Sequence, residues 1–141
     1  MNTEKRTRIR ARIRTELMQF ETSKDIFDAI TEIEETKNSP YDKTLTLAEN
    51  EEHDQLNTDK LIACKGLLGQ IEAVVPLTHD VTLIPEGALK AHIKERTSES
   101  HGFDPGHFPY NHMDWDAVVE AIEPYYYLVS AYDINFYIEG V

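Results

Sequence analysis

The stretch "WDAVVEAIEPYYYLVSAYDINFYIE" (115–139) decides the fold. Asp114 precedes it as a helix N-cap, and the spacing of Ala117, Val118, Ala121 and Ile122 gives the following helix one apolar side. Pro124 ends this helix. Two aromatic and β-branched runs then flank Asp133, which is typical of two strands joined by a tight turn. The sequence therefore predicts a C-terminal unit, residues 110–141, of one helix and a β-hairpin.

The segments upstream of this unit alternate between helical and extended patterns. Ser23 is placed to cap a helix from about Lys24 onwards, with apolar residues at helical spacing behind it. "NSPYD" (38–42) predicts a turn, "TLTLA" (44–48) a short strand, and the acidic "ENEEHDQLNTD" (49–59) an exposed loop. These assignments place the second helix and a first strand in the N-terminal half.

A further helix is expected to be capped by Asn57 or Thr58 and to run to about Val75, where Pro76 ends it. "VTLI" (81–84) predicts a strand, Pro85 a helix over 86–96, and "RTSESHGFDPGHFPYNH" (96–112) a long loop. Together the segments predict an α+β fold, a single compact domain over 1–141, with helices packed on a small antiparallel sheet.

The N-terminal arm, residues 1–22, contains "RTRIRARIR" (6–14), with five arginines in nine positions. Ile9, Ile13, Leu17 and Phe20 lie at i, i+4, i+8 and i+11, which favours an amphipathic helix. The alternation of basic and apolar residues over 8–14 fits a half-exposed strand as well. Both alternatives stay open at this stage, and both place the arginines towards solvent.

The charge of the chain is distributed unevenly. The formal net charge is −12, yet residues 1–14 carry +5 and residues 15–141 carry −17. Residues 110–141 hold six acids and no lysine or arginine. A folded body of this sign repels phosphate and attracts basic protein surfaces. We therefore expect no direct binding of duplex DNA by the body of the chain.

Several functional classes lack their sequence signals. No run of apolar residues is long enough for a transmembrane helix, and no apolar region follows the basic N-terminus as in a secretory signal. The single cysteine, Cys64, excludes an internal disulfide, fits a cytoplasmic location, and is expected to fill the core. Neither a phosphate-binding glycine loop nor a nucleophile elbow is present. We expect a protein that is not an enzyme and has no cofactor.

Histidines and carboxylates in the 96–112 loop and just after it raise the possibility of a metal site. The residues are His101, His107 and His112, with Asp104, Asp114 and Asp116 among them. Their spacing has neither the i, i+4 pair of a helical site nor two close-set pairs, so we expect no metal. The tyrosines of the hairpin could stack on bases, but a nucleic-acid surface also needs cations.

Residues 110–139 resemble the C-terminal unit of small phage and mobile-element proteins, including ArdA-type antirestriction proteins. An aromatic–x–x–hydrophobic–Asp–aromatic–acid opening leads there into a short helix and a tyrosine-rich hairpin. The matching positions are Tyr110, Met113, Asp114, Trp115, Asp116, Tyr126, Val129 and Phe136. The resemblance implies a protein that mimics the charge of duplex DNA and occupies the DNA groove of a restriction enzyme. That family has no catalytic, metal or cofactor residues to carry over.

Two helical segments could display the carboxylates that such a mimic needs. The candidate partner-binding residues are Asp25, Asp28, Glu32 and Glu35 on the first, and Asp114, Asp116, Glu120 and Glu123 on the second. On each helix they recur at helical spacing opposite the apolar side. The alternative, that both are ordinary solvated faces, stays open.

The arm residues Arg6, Arg8, Arg10, Arg12 and Arg14 have three possible roles. They could bind nucleic acid, dock on an acidic protein, or pair with acids of this chain, within one copy or across a homodimer. We favour the third role, because Ile9 and Ile13 offer an apolar anchor beside the charges.

The favoured function is an acidic inhibitor from a phage or mobile element that blocks a host DNA-binding or nuclease-type protein. The alternatives are a nucleic-acid-binding accessory protein that uses the arginine arm and a metal-dependent enzyme that uses the loop histidines.

Overall fold

The helical and the extended sequence patterns give five α-helices and three strands within the residues that the structure describes. The computed structural model describes residues 3–36, 45–77 and 80–139. The helices are α1 (Thr3–Leu17), α2 (Ser23–Thr36), α3 (Leu47–Glu72), α4 (Leu89–His101) and α5 (Trp115–Ile122). The strands are β1 (Ile84–Pro85), β2 (Tyr126–Ala131) and β3 (Ile134–Glu139). The predicted α+β fold is confirmed.

The sheet is antiparallel, with β3 between β1 and β2. The predicted C-terminal hairpin is present, and Val129 lies opposite Phe136 across it. Because side chains alternate along a strand, Phe136 and Ile138 point to one face of the sheet and Tyr137 to the other. The two faces are covered by different helices.

The main core lies on the face that carries Phe136 and Ile138, and α1, α2 and α3 cover it. Its completely buried side chains include Ile13, Leu17, Ile26, Leu67, Ile71 and Ile138. Two ion pairs link α1 to α3: Arg8 pairs with Glu52, and Glu16, eight residues later on α1, pairs with Lys60, eight residues later on α3. The two helices therefore run in the same direction. The apolar stripe predicted for α1 is therefore a core contact.

A second, smaller cluster lies on the other face of the sheet. Ile84, Leu89 and Ile93 form its buried centre, and residues of α5 together with Tyr126 and Tyr137 pack against it. Short 3₁₀ turns precede α4 at Glu86–Ala88 and follow α5 at Glu123–Tyr125. The described part of the chain has no helix long and apolar enough to cross a bilayer.

The N-terminal arm is helical over Thr3–Leu17, which decides between the two alternatives for residues 6–14. The predictions for 44–59 are wrong where the structure describes them. Leu47 and Ala48 begin α3 instead of ending a strand, and the acidic segment 49–59 is part of that helix. Thr46 caps α3 by accepting the Glu49 N–H at 3.1 Å, and the Glu49 side chain accepts the Thr46 N–H in return. The turn predicted at 38–42 lies outside the described residues.

The cap predicted at Asn57 or Thr58 is wrong, because both residues lie inside α3, which ends at Glu72 and not at about Val75. Further boundaries differ from prediction. Ser23 is the first residue of α2 and is buried against Val81, which donates its N–H to the Ser23 hydroxyl at 2.9 Å. The strand predicted over 81–84 is reduced to Ile84–Pro85, because Thr82 makes only an isolated bridge with Thr22. Helix α4 continues to His101 and ends where Gly102 adopts a φ of 70°.

Candidate protein-binding surface

Three of the four carboxylates proposed on α2 point outward. Asp28, Glu32 and Glu35 are exposed, on the side of α2 away from the buried Ile26 and Ile33. No lysine or arginine of the described residues comes within ion-pair distance of these three. Their charge is therefore presented to solvent.

Asp25 has a different place from the one predicted. Its carboxylate is partly buried and accepts the N–H groups of Glu21 at 2.8 Å and Thr22 at 3.1 Å. The helix itself cannot satisfy these two backbone donors, because they belong to residues just before its first turn. Asp25 thus holds the start of the helix instead of contributing to the outer face.

The carboxylates around α5 are mostly engaged in local contacts. Asp114 caps the helix by accepting the Ala117 N–H at 3.1 Å, as predicted. Asp116 lies 2.8 Å from the Lys90 ammonium group, and Glu123 accepts a hydrogen bond from the Tyr137 hydroxyl at 2.8 Å. That hydrogen bond raises the pKa of the Tyr137 hydroxyl.

Glu120 completes the α5 set. It is exposed, and no described lysine or arginine lies within 4 Å of it. Of the four α5 residues that the sequence proposed, it is the one whose charge is not used inside the chain. The free negative charge of this region is therefore smaller than the sequence suggested.

The first half of α3 adds carboxylates that the sequence analysis missed. Glu51 and Asp54 are exposed, and Glu49, which closes the capping box, is exposed as well. The segment was predicted to be a loop because it has few apolar residues, with Leu56 its only buried aliphatic side chain. The signal that could have revealed the helix is Thr46 followed three residues later by Glu49, the capping-box spacing.

Three arm arginines pair with carboxylates of their own chain. The Arg8 guanidinium lies 2.8 Å from the Glu52 carboxylate, and Arg12 lies 3.7 Å from Glu16 on the same helix. Arg10 forms an ion pair with Asp133 in the hairpin turn. Its guanidinium also lies 5.5 Å from the centre of the Tyr132 ring, within cation–π range. These contacts agree with the favoured role, pairing with the chain's own acids.

Arg6 and Arg14 are the two arm arginines outside these pairs. Both are exposed, and neither has a carboxylate within 4 Å in the described part of the chain. The buried Ile9, Ile13 and Leu17 hold α1 against the rest of the molecule. The arm is therefore a docked helix with two unsatisfied cations, and not a free basic tail.

The structure does not bring the three loop histidines together. His101 stacks on Phe103, His107 lies 3.6 Å from Asp104, and His112 contacts Phe108 edge to face. Within the ranges that the structure describes, no group of three metal-ligating side chains is found. The contacts of these histidines are local aromatic and polar ones.

An exposed aromatic patch on the 103–113 loop is a feature that the sequence analysis missed. Phe108 is 79% exposed, and Tyr110 and Met113 are each more than a third exposed. Phe103 stacks on Tyr110 with a centroid distance of 4.0 Å, a contact that joins two parts of this loop. The available signal was three aromatic residues within a Gly- and Pro-rich segment, a composition that packs poorly into a core.

Cys64 is completely buried in the main core, as expected. Burial raises the pKa of its thiol to about 11; the nearby Lys60 lowers the pKa and Glu16 raises it, both by less than burial does. The thiolate is the reactive form of cysteine, so at neutral pH this residue is not a nucleophile.

Comparison with family models, with curated proteins and with solved structures found no match to this chain. The resemblance of residues 110–139 to ArdA-type proteins therefore stays a prediction. Among its positions, Trp115, Val129 and Phe136 are buried and serve packing, whereas Asp114 and Asp116 are exposed. Only the exposed positions could contact a partner directly.

Proposed function

We propose that this chain binds a basic, DNA-binding surface of another protein and thereby inhibits it. The observation that carries the proposal is that three arginines of α1 are paired with carboxylates, whereas the carboxylates on the outer face of α2 have no described ion-pair partner. Arg8, Arg10 and Arg12 are neutralised by carboxylates of the chain itself. The outer face of α2 keeps its negative charge exposed, and a negative surface favours encounter with a positive one.

The spacing of the α2 carboxylates is compatible with mimicry of DNA charge. Asp28, Glu32 and Glu35 are separated by seven residue steps in all, or about 10 Å of helix at 1.5 Å per residue. This is roughly one charge per 5 Å, against one per about 3.4 Å along a DNA strand. The linear charge density is thus within a factor of about two of the strand that would be replaced.

The aromatic patch, which lies with α5 on the other side of the sheet from α2, is a second, separate candidate contact. Phe108, Tyr110 and Met113 immediately precede α5, whose Glu120 is free of ion pairs in the described chain. Aromatic side chains dominate the energetics of protein interfaces, whereas exposed charge pairs contribute little each. The proposed origin in a phage or mobile element, and the role in counter-defence, rest on the C-terminal resemblance.

The test is neutralisation of the α2 face by Asp28→Asn, Glu32→Gln and Glu35→Gln in one variant. The control variant carries Glu72→Gln, Glu95→Gln and Glu99→Gln, an equal change in net charge at exposed positions of α3 and α4. Circular dichroism and thermal unfolding establish that both variants fold. The assay is DNA cleavage by purified restriction enzymes, with the parent protein and each variant as inhibitor.

We expect the parent to inhibit at least one enzyme in competition with duplex DNA, the α2 variant to be at least tenfold weaker, and the control to match the parent. Equal inhibition by parent and α2 variant would contradict the proposal. A ternary complex of the chain, the enzyme and DNA would contradict it as well, because the acidic face would then lie outside the DNA-binding groove.

The unpaired Arg6 and Arg14 favour one other function, that of a nucleic-acid-binding accessory protein. Lysine and arginine contacts to phosphate make duplex binding strongly dependent on salt. Salt-dependent duplex binding by the intact chain, lost on Arg6→Gln and Arg14→Gln, would support this alternative. We expect no such binding, because these two cations belong to a chain of net charge −12.

A further inference from the structure

Strand β2 is an edge of the sheet, because β3 pairs with it on one side only. On the other side, the Gln70 side chain bonds the N–H and the C=O of Ser130 at 2.9 and 2.8 Å. Backbone groups of residues two apart in a strand point the same way, so those of Leu128 point to this edge as well. Within the described residues, neither the Leu128 N–H nor its C=O has a hydrogen-bond partner there. The edge is therefore covered at Ser130 and open at Leu128.

The open part of the edge is uncovered on both faces of the sheet. Tyr127 lies opposite Ile138 and so points to the face of the main core, yet it is 43% exposed. Leu128 lies opposite Tyr137 and points to the other face, where it is 54% exposed. Because consecutive side chains on both faces are exposed, the strand is accessible at these residues to another strand.

This edge carries no charge, in contrast to the rest of the molecule. Residues 124–131 contain no acidic or basic side chain, although the chain has a net charge of −12. Edge strands are usually protected from pairing by charged side chains or proline, and residues 126–130 have neither. Like charges that face each other oppose association, so two acidic copies can approach best along an uncharged edge. A basic partner, by comparison, would gain no ion pair here.

We propose that β2 pairs antiparallel with β2 of a second copy, which joins two three-stranded sheets into one sheet of six strands. A two-fold axis beside Tyr127 places Leu128 opposite Tyr126 of the second copy, and the same contact recurs across the axis. The Leu128 N–H then donates to the C=O of Tyr126 of the second copy. This register leaves Ser130 outside the pairing, where its backbone groups stay bonded to Gln70.

The pairing is expected to be weak. The Tyr126 N–H already donates to the Glu123 C=O in the turn before β2, so the two copies exchange two backbone hydrogen bonds in all. Burial of the exposed Tyr127 and Leu128 side chains adds an apolar contribution. One strand pair is smaller than the interface of a stable complex, and we therefore expect a dimer that forms only at high concentration.

The experiment is a charge substitution followed by mixing, read by sedimentation equilibrium of the full-length chain. One variant carries Leu128→Lys and the other Leu128→Glu. In the dimer the two copies of residue 128 lie diagonally across the axis on one face of the sheet, within reach of long side chains. Like charges oppose each other in either variant alone, whereas opposite charges meet in the mixture. We expect the parent to self-associate, each variant alone to be at least tenfold weaker, and the mixture to regain heterodimer.

The matched control is Leu47→Lys, which makes the same change at an equally exposed leucine at the start of α3, outside the sheet. It should associate like the parent, and circular dichroism establishes that all variants fold. A parent that stays monomeric at several hundred micromolar would overturn the proposal. Equal weakening by Leu47→Lys and Leu128→Lys would overturn it too, because association would then respond only to net charge.

Amide hydrogen exchange locates the contact. Exchange at the Leu128 N–H should slow as the protein concentration rises, whereas exchange at the Tyr127 N–H, which points to β3 within the hairpin, should stay constant. Protection of Leu128 that does not depend on concentration would contradict the pairing. Protection that requires an added restriction enzyme would assign the edge to a strand of that enzyme and overturn the second copy as occupant.

The pairing is separable from the inhibitory function, because it uses no residue of α2. The neutralised α2 variant should dimerise like the parent, even if it no longer inhibits. Leu128→Lys should inhibit like the parent, even though its dimer is lost. Loss of dimerisation in the folded α2 variant would contradict the pairing through β2 and leave the proposed function untouched.

Discussion

The hairpin turn offers a sharp test of the structure, because two residues other than glycine adopt left-handed backbone conformations there. Tyr132 has a φ of 51° and Asp133 a φ of 63°, and these two residues alone connect β2 to β3. A two-residue turn with positive φ at both positions is type I′, which strongly prefers Asn-Gly. A residue with a Cβ in this region costs roughly 1–2 kcal/mol. The turn therefore carries strain that glycine would relieve.

The informative comparison is Asp133→Gly against Asp133→Ala. Both substitutions remove the ion pair with Arg10, so its contribution, about 0–1 kcal/mol for an exposed pair, cancels between them. Alanine bears the left-handed penalty of about 1–2 kcal/mol, and glycine bears an entropy cost of about 0.5–1 kcal/mol. The glycine variant should thus be more stable than the alanine variant by about 0.5–1 kcal/mol, the reverse of the usual order.

Urea unfolding followed by circular dichroism measures this difference. With a slope of roughly 2 kcal/mol/M, the midpoints of the two variants should differ by about 0.3–0.5 M. The matched control is Ser130→Gly against Ser130→Ala in the extended strand β2, where alanine should be the more stable. If alanine equals or exceeds glycine at position 133, the left-handed turn is refuted.

Three further predictions concern burial and hydrogen bonding. Burial raises the pKa of Cys64 from 9.0 to about 11, so the stabilisation that its neutral thiol gives the fold should be complete below pH 9 and fall by roughly 3 kcal/mol between pH 9 and 11. The difference in unfolding free energy between the parent and Cys64→Ala should shrink by this amount over the same range, and a constant difference would contradict the prediction. The Gln70 amide accepts the Ser130 N–H at 2.9 Å and donates to the Ser130 C=O at 2.8 Å, on the edge of β2 away from β3. Gln70→Ala should therefore lower the unfolding free energy by about 1 kcal/mol and speed hydrogen exchange at the Ser130 N–H, whereas Gln70→Glu, which keeps the acceptor for that N–H, should leave its exchange slow. Ser23→Ala leaves the Val81 N–H without its buried acceptor and should cost about 1–3 kcal/mol, whereas Ser23→Thr, which keeps the hydroxyl, should cost less in the same urea titration.

The elements that the sequence predicted are those whose signals are local. Helix α5 and the hairpin follow from the Asp114 cap, the apolar side of the helix and the aromatic runs around Asp133, and the structure has all three. The first half of α3 was missed because its packing is sparse, with Leu56 buried among mostly charged neighbours. Its cap at Thr46 was local too, but the acidic composition outweighed it in the prediction.

The ends of α2 and β1 could not be predicted, because they depend on contacts between distant residues. Ser23 has the composition of an N-cap, yet its hydroxyl is used by Val81, 58 residues away. The same contact draws residues 81–83 towards α2, so that the predicted strand pairs with β3 only at Ile84–Pro85. The composition of residues 81–84 predicts an extended segment, but it cannot reveal whether that segment makes its backbone hydrogen bonds with β3 or with the residues around the start of α2.

The candidate surface shows the same limit for charge. Sequence counting places +5 in residues 1–14 and assigns four carboxylates of α2, and four in and around α5, to an outer face. In the fold, Arg10 reaches Asp133, 123 residues away, while Asp25, Asp114 and Glu123 are used by nearby donors. Within the described residues, Asp28, Glu32 and Glu35 of α2 are left without an ion pair, and so are two arginines of α1, Arg6 and Arg14. The paired arm and the exposed α2 carboxylates are therefore products of the fold, because they depend on which base each carboxylate meets in space and not on counts along the chain.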